Sequence, residues 1–111
     1  METSLELDIA KDYSAYPAGR DEADGPFNGE RFRRELLLPL YQKAATQNVE
    51  FLVSLVGVKS FGSSFLEEAF GGLVRKDRVD KNDLRNRLRI LPGRPGNSRY
   101  EAAIYRYINQ A

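Results

Sequence analysis

Residues 49–58 read Val-Glu-Phe-Leu-Val-Ser-Leu-Val-Gly-Val, and residues 59–66 continue Lys-Ser-Phe-Gly-Ser-Ser-Phe-Leu. The first stretch is a nearly continuous run of β-branched and other apolar residues, which is typical of a central strand buried on both faces. The second stretch contains a Gly-bounded turn and the start of a helix. Because Ser64 and Glu67 have the spacing of a capping box, we expect that helix to run from about Ser64 to Arg75.

The segments before this run predict a strand, a loop and a helix. Residues 5–10 alternate apolar and polar side chains with the period of a half-buried strand. Residues 17–29 contain Pro and Gly and are expected to form a loop, with Asn28 as the N-cap of the next helix. We expect Pro39 to kink that helix. Its predicted inner face carries Phe32, Leu36, Leu40 and Ala44 at helical spacing, with Arg33, Arg34 and Lys43 outside.

The segments after the run predict a helix, a strand and a last helix. Asp80 is the expected N-cap of a short helix, and residues 88–91 form the predicted strand. Pro and Gly at residues 92–96 break the pattern before a helix at about residues 98–110, where Ser98 and Glu101 have capping-box spacing. This order predicts one α/β domain over residues 1–111, a small mixed sheet with helices packed against it.

Composition excludes several classes of function. The 111 residues include no Cys and no His, so disulfides, Cys/His zinc sites, cysteine nucleophiles and imidazole catalysis are all ruled out. No apolar stretch approaches the length of a membrane span, and the acidic start is unlike a signal peptide. We therefore expect a cytoplasmic protein without a membrane association.

The turn after the apolar run is close to two catalytic motifs but lacks a key residue of each. Gly57, Gly62 and Ser64 match a phosphate-binding P-loop, but Ser63 stands in place of the lysine that grips the phosphates. A serine-hydrolase elbow fails because Leu66 stands where its last glycine is required. We therefore expect no bound cofactor, no metal and no enzymatic activity.

The same turn resembles a known family. The stretch from Val53 to Leu66 resembles the signature of STAS domains, the fold of anti-sigma factor antagonists. The run from Gly62 to Leu73, preceded by Gly19-Arg20 and Gly25-Pro26-Phe27, resembles more closely a bacterial STAS-like family of uncharacterised function. This second resemblance covers about residues 17–91.

The resemblance implies a regulatory protein-protein interaction rather than catalysis. Ser63 corresponds to the serine that a partner kinase of the histidine-kinase-like ATPase fold phosphorylates in true antagonists, so that ATPase or another signalling protein is the expected partner. Gly62 and Ser54 stand where antagonists carry acidic residues. The candidate partner-binding residues are Arg20, Phe61, Gly62, Ser63, Ser64, Phe65 and Glu68.

Two details of this region are predicted from the residues. Glu67 is expected to be engaged by the capping box, and one of the adjacent carboxylates Glu67 and Glu68 is expected to be solvated, which disfavours a Mg²⁺ or acid/base site. The guanidinium of Arg20, in the loop, is a candidate for bidentate contact with a phosphate near Ser63.

The charge distribution supplies an alternative function. Residues 1–74 carry 7 basic and 12 acidic side chains, whereas residues 75–111 carry 10 basic and 4 acidic ones. With tyrosines interleaved among the basic side chains, residues 75–106 form a candidate nucleic-acid-binding face. Against this, Asp77, Asp80 and Asp83 interrupt the basic run.

Overall fold

The apolar run that begins at Val49 forms the middle strand of a three-stranded sheet, as predicted. The structure is a computed structural model and describes residues 4–111, so residues 1–3 of the predicted domain lie outside the described residues. Both strand pairings are parallel, so the expectation of a mixed sheet was wrong for the described strands. Each connection between neighbouring strands contains helices, which is how parallel strands are normally joined. The strands are β1 (Ser4–Asp8), β2 (Glu50–Ser54) and β3 (Leu88–Leu91), in the order β1-β2-β3.

Five helical stretches occur within residues 4–111. Two are composite, because a π-helical turn interrupts each: α2 (Gly29–Phe32) continues through Arg33–Leu37 into α3 (Leu38–Gln47), and α4 (Ser63–Leu66) continues through Glu67–Gly71 into α5 (Gly72–Arg75). We call these the 29–47 helix and the 63–75 helix. The others are α1 (Ile9–Asp12), α6 (Lys81–Arg87) and α7 (Ser98–Gln110), with short 3-10 turns at Glu22–Asp24 and Pro95–Asn97.

The helices cover one face of the sheet. Phe51 and Val53 of β2 are fully buried on that face, whereas Leu52 and Ser54 on the other face are only partly buried. The open face also carries an ion pair between Arg89 and Glu50 at 2.5 Å. The prediction that β2 is buried on both faces was therefore wrong. The apolar continuity of the sequence came partly from residues beyond the strand, where Leu55 is buried and Val56, in the turn that follows, is exposed.

The 29–47 helix buries a different face from the predicted one. Phe32 and Ala44 are buried as expected, but Leu37 and Tyr41 are buried in preference to Leu36 and Leu40. The π-helical turn before Pro39 adds a residue to one turn and so rotates the inner face. The helix continues through Pro39 to Gln47. Arg33, which was predicted to lie outside, is also buried. Its guanidinium pairs with the carboxylate of Glu68 in the 63–75 helix and with that of Asp77 just after this helix.

Two of the four predicted helix caps are present. Asn28 accepts a hydrogen bond from the backbone N–H of Arg31, and Asp80 accepts one from that of Asp83. The Ser98 box is absent, because α7 begins after Asn97 without a side-chain cap and the Ser98 hydroxyl donates instead to the carbonyl of Pro95. The Ser64 box is absent too, because Gly62 is the N-cap residue and no side chain caps the helix that begins at Ser63.

Candidate functional site

The serine pair lies where β2, after a turn, leads into the 63–75 helix. Gly62 is the N-cap residue, so the helix begins at Ser63, one residue earlier than predicted, and no side chain caps it. Ser63 is exposed and Ser64 is partly buried. The prediction that Ser64 caps the helix was wrong, since Ser64 is already the second helical residue. Ser63 is therefore the more exposed residue of the pair.

Aromatic rings support this turn from beneath and from one side. Phe61 is partly buried, and its ring centroid lies 6.0 Å from that of Phe65 and 5.0 Å from that of Tyr100. Phe65 itself is fully buried and packs against Phe32 of the 29–47 helix at 5.4 Å. The turn is thus anchored to the core on one side and to α7 on the other.

A surface cavity of about 450 Å³ opens beside Ser63, between the start of the 63–75 helix and α7. We call it the Ser63 groove. Its floor and walls combine apolar, aromatic and basic side chains, and it contains no carboxylate among its lining residues. They are Phe61, Ser63, Leu66, Arg99, Tyr100, Ala103, Arg106 and Tyr107.

The two arginines of the Ser63 groove lie over aromatic rings. The guanidinium carbon of Arg99 is 4.8 Å from the ring centroid of Tyr100, and that of Arg106 is 5.2 Å from the ring centroid of Tyr107. Both arginines are exposed, and neither has a carboxylate within 4.0 Å among residues 4–111. Cation–π contact orients a guanidinium while leaving its N–H donors available to a ligand.

An ionic cluster lies on another side of the same helix, around Glu68. This carboxylate is only 1% exposed and is bound by Arg33, by Arg20 at 3.1 Å and by Lys76 at 2.9 Å. Burial by itself raises the pKa of Glu68, but the hydrogen bonds from Lys76, Arg33 and Arg20 outweigh it and hold the pKa below the usual 4.5. The carboxyl is therefore ionised at neutral pH.

Glu67 belongs to the same cluster, which explains the missing capping box. Its carboxylate accepts hydrogen bonds from Arg75 and, at 2.5 Å, from Arg20 instead of reaching back to the helix start. Burial raises the pKa of Glu67, but the hydrogen bonds from Arg75 and Arg20 lower it by more, so the net shift is downward from 4.5. Neither carboxylate of the pair is simply solvated, contrary to the expectation from the sequence.

The structure therefore divides the predicted site residues into two groups. Ser63 and Phe61 line the groove, and Gly62 and Ser64 flank Ser63 along the chain. Arg20 instead turns its guanidinium towards Glu67 and Glu68, and its Nη1 donates to both carboxylates. Burial leaves the side chains of Phe65 and Glu68 no surface for a partner, so they support the site from within.

Sequence reasoning did not place the arginines and tyrosines of α7 at this site. Arg99 and Tyr100 were assigned only to the candidate nucleic-acid face. A usable signal was present, because Arg99 and Arg106, like Tyr100 and Tyr107, are seven residues apart and so lie on one side of a helix. Nothing local to α7, however, indicates that this side meets the turn at Ser63.

Ion pairs engage four basic residues of the C-terminal region. Arg75 pairs with Glu67 and Lys76 with Glu68 in the ionic cluster. Arg87 pairs with Asp83 at 2.9 Å, and Arg89 pairs with Glu50. These pairs reduce the positive charge that the region can offer to an extended polyanion.

Comparison with known proteins identifies the family. Residues 28–91, more than half of the chain, match the family described as a STAS-like domain of unknown function. The chain belongs to this STAS-like family. The match includes the parallel strands β2 and β3, the serine pair and most of the ionic cluster, but it ends before α7. No curated protein and no solved structure matches the chain.

Over residues 4–111, no helix combines the length and the apolar character that crossing a bilayer requires.

Proposed function

We propose that this STAS-like domain acts as a regulatory protein-interaction module without catalytic activity, and that it binds its partner at the Ser63 groove and the turn before it. The observation that carries the proposal is the exposed hydroxyl of Ser63 beside a groove of apolar, aromatic and basic side chains. Such a mixture is typical of protein-binding surfaces, in which aromatic residues and arginine are enriched.

Ser63 is the proposed regulatory residue. A phosphate there would add about −1.5 to −2 charges at pH 7, placed at the first residue of a helix and beside two arginines. The helix dipole favours negative charge at this end, so the modification is compatible with the fold. A histidine-kinase-like ATPase with serine kinase activity, or another signalling protein, is the partner that this proposal expects.

The alternative, nucleic-acid binding through residues 75–106, has less support from the charges. The ion pairs of Arg75, Lys76, Arg87 and Arg89 must break or be shared before those side chains can neutralise phosphates. Binding that falls about 10³-fold or more between 50 and 200 mM salt would nevertheless favour this alternative, because it would indicate release of many counterions.

The proposal is tested by partner capture followed by titration. The tagged full chain is used as bait in cells that naturally contain the protein, with Ser63→Asp and Ser64→Asp chains as parallel baits. A captured protein is then purified and titrated with each bait, and the bait is incubated with it and ATP before phosphosite mapping. Loss of binding in Ser63→Asp but not in Ser64→Asp, or phosphate mapped to Ser63, supports the proposal. A partner whose affinity is the same for all three chains contradicts it.

A further inference from the structure

We propose that the Ser63 groove recognises an acidic segment of the partner protein, with Arg99 and Arg106 binding its carboxylates and the partly exposed Phe61 and Ala103 contacting an apolar side chain between them. This inference rests on the proposed function and adds the chemistry of the partner. It also assigns a binding role to α7, which lies beyond the residues that match the family.

The Ser63 groove is lined by two arginines and by no acidic residue. Arg99 and Arg106 are exposed, and within the described part of the chain neither is neutralised by an acidic side chain. This differs from Arg20, Arg33 and Arg75, which are all bound to Glu67 or Glu68. The groove therefore has two guanidinium groups available, and a carboxylate matches the planar fork of a guanidinium bidentately.

Each arginine of the groove lies over the ring of a neighbouring tyrosine. Tyr100 and Tyr107 are only partly exposed, and each holds the arginine next to it in sequence at cation–π distance. The hydroxyl of Tyr100 also accepts a hydrogen bond of 2.9 Å from Arg99. A guanidinium that is already oriented loses less conformational freedom on binding, so the groove is partly preorganised for an anion.

The shape and lining of the groove favour a peptide over a nucleic acid. Leu66, Ala103 and Phe61 give it an apolar floor between the two arginines, which suits an aliphatic or aromatic side chain flanked by acids. A single strand of nucleic acid instead requires a positive track that continues along its backbone. The neighbouring cations Arg75 and Lys76 are engaged in the ionic cluster, so they do not extend such a track.

The experiment measures binding of defined probes to the full chain by fluorescence anisotropy. The probes are a labelled pool of short peptides that mix Glu and Asp with Leu and Phe, a matched pool with Lys and Arg in place of the acids, and a labelled single-stranded thymidine oligonucleotide. The test variant is Arg99→Glu/Arg106→Glu. The control variant is Arg85→Glu/Arg94→Glu, which changes the net charge equally at two exposed arginines outside the groove.

We expect the wild type and the control variant to bind the acidic pool more tightly than the basic pool. The test variant should lose at least about tenfold in affinity for the acidic pool, because two favourable charge pairs become repulsive. It should also gain affinity for the basic pool, an inversion that a loss of folding cannot produce. Arg99→Gln/Arg106→Gln serves as a milder second variant, which should weaken acidic binding without inverting the preference.

Three results would overturn the inference: no preference of the wild type for the acidic pool, equal losses in the test and control variants, or tighter binding of the oligonucleotide than of the acidic pool. The two proposals fail separately. A natural partner that depends on Ser63 but binds the test variant normally would overturn the acidic-segment inference and leave the proposed function standing. If the acidic pool binds through the groove but the captured partner has the same affinity for the Ser63 variants, the proposed function is overturned and the acidic-segment inference stands.

Discussion

Arg33 of the 29–47 helix and Glu68 of the 63–75 helix form an ion pair whose side chains are 4% and 1% exposed. The same guanidinium donates a hydrogen bond of 3.0 Å to the backbone carbonyl of Glu68 and lies 2.9 Å from the carboxylate of Asp77. Burying charges is costly unless each is paired and hydrogen-bonded, and the cluster meets this condition for Glu68 with three cationic partners within 3.1 Å. The pair thereby links the 29–47 helix to the 63–75 helix.

Removal of the Glu68 charge should be strongly destabilising. In Glu68→Gln the buried guanidinium of Arg33 keeps only Asp77 as an anionic partner, and breaking a buried pair typically costs about 3–5 kcal/mol. The free energy of unfolding in urea checks this. The matched control is Glu35→Gln, which removes an exposed pair with Arg31 and should cost less than about 1 kcal/mol. Similar small losses in both variants would show that the buried pair contributes little.

Stability should also fall in acid because of this cluster. The pKa values of Glu67 and Glu68 are lowered from 4.5 in the folded chain, so their ionised forms contribute stability above that pH, and the contribution is lost as the pH falls through the folded values. The expected result is a decline in unfolding free energy below pH 4.5 that is shallower in Glu68→Gln. Parallel pH profiles of the two proteins would contradict this linkage.

Gly29 should not tolerate a side chain. A Cβ atom at this position would lie 2.7 Å from the backbone oxygen of Phe65 and 3.0 Å from the Cβ of Glu68, so the 29–47 and 63–75 helices would have to separate. We expect Gly29→Ala to lower the free energy of unfolding by about 1–3 kcal/mol, the usual range for overpacking. Gly96→Ala is the control, since nothing lies within 4 Å of its added Cβ. Thermal or urea unfolding of both variants decides the point, and equal stability would refute the close approach.

Neither serine of the pair should be important for folding. A side-chain cap at Ser64 would make Ser64→Ala cost about 1 kcal/mol, but the structure has Gly62 at the N-cap and no side-chain cap. We therefore expect Ser63→Ala and Ser64→Ala each to change stability by no more than about 0.5 kcal/mol, as for surface substitutions away from special features. Thermal melts measure this. A loss near 1 kcal/mol confined to Ser64→Ala would restore the capping role.

A negative charge at Ser63 should weaken binding of an acidic peptide. Ser63 lines the groove that also contains Arg99 and Arg106, so an added carboxylate competes with the peptide for the same guanidinium groups. In Ser63→Asp we expect affinity for the acidic peptide pool to fall about two- to fivefold, the effect of one unfavourable exposed charge interaction. Ser64→Asp, outside the groove lining, is the control and should bind as the wild type does. Tighter binding in Ser63→Asp would argue against competition within the groove.

Local patterns in the sequence were sufficient for much of the fold. The three strands and the caps at Asn28 and Asp80 were all predicted, because apolar patterns and capping depend on neighbours a few residues away. The same reasoning erred at Ser64 and Ser98, where the spacing of a capping box was present but each side chain had another partner or position. The spacing of two residues carries no information about other hydrogen-bond partners that folding brings close.

The amino-acid sequence by itself determined an α/β chain without His or Cys chemistry and placed the serine pair between the central strand and the helix that follows it. Only the tertiary structure decided that Arg33 is buried against Glu68, that Arg20 is held by the ionic cluster rather than free near Ser63, and that α7 brings Arg99 and Arg106 to the groove. The physical reason is the separation along the chain. These contacts join residues more than thirty positions apart, so their energies depend on how whole helices pack, and no local periodicity records that packing.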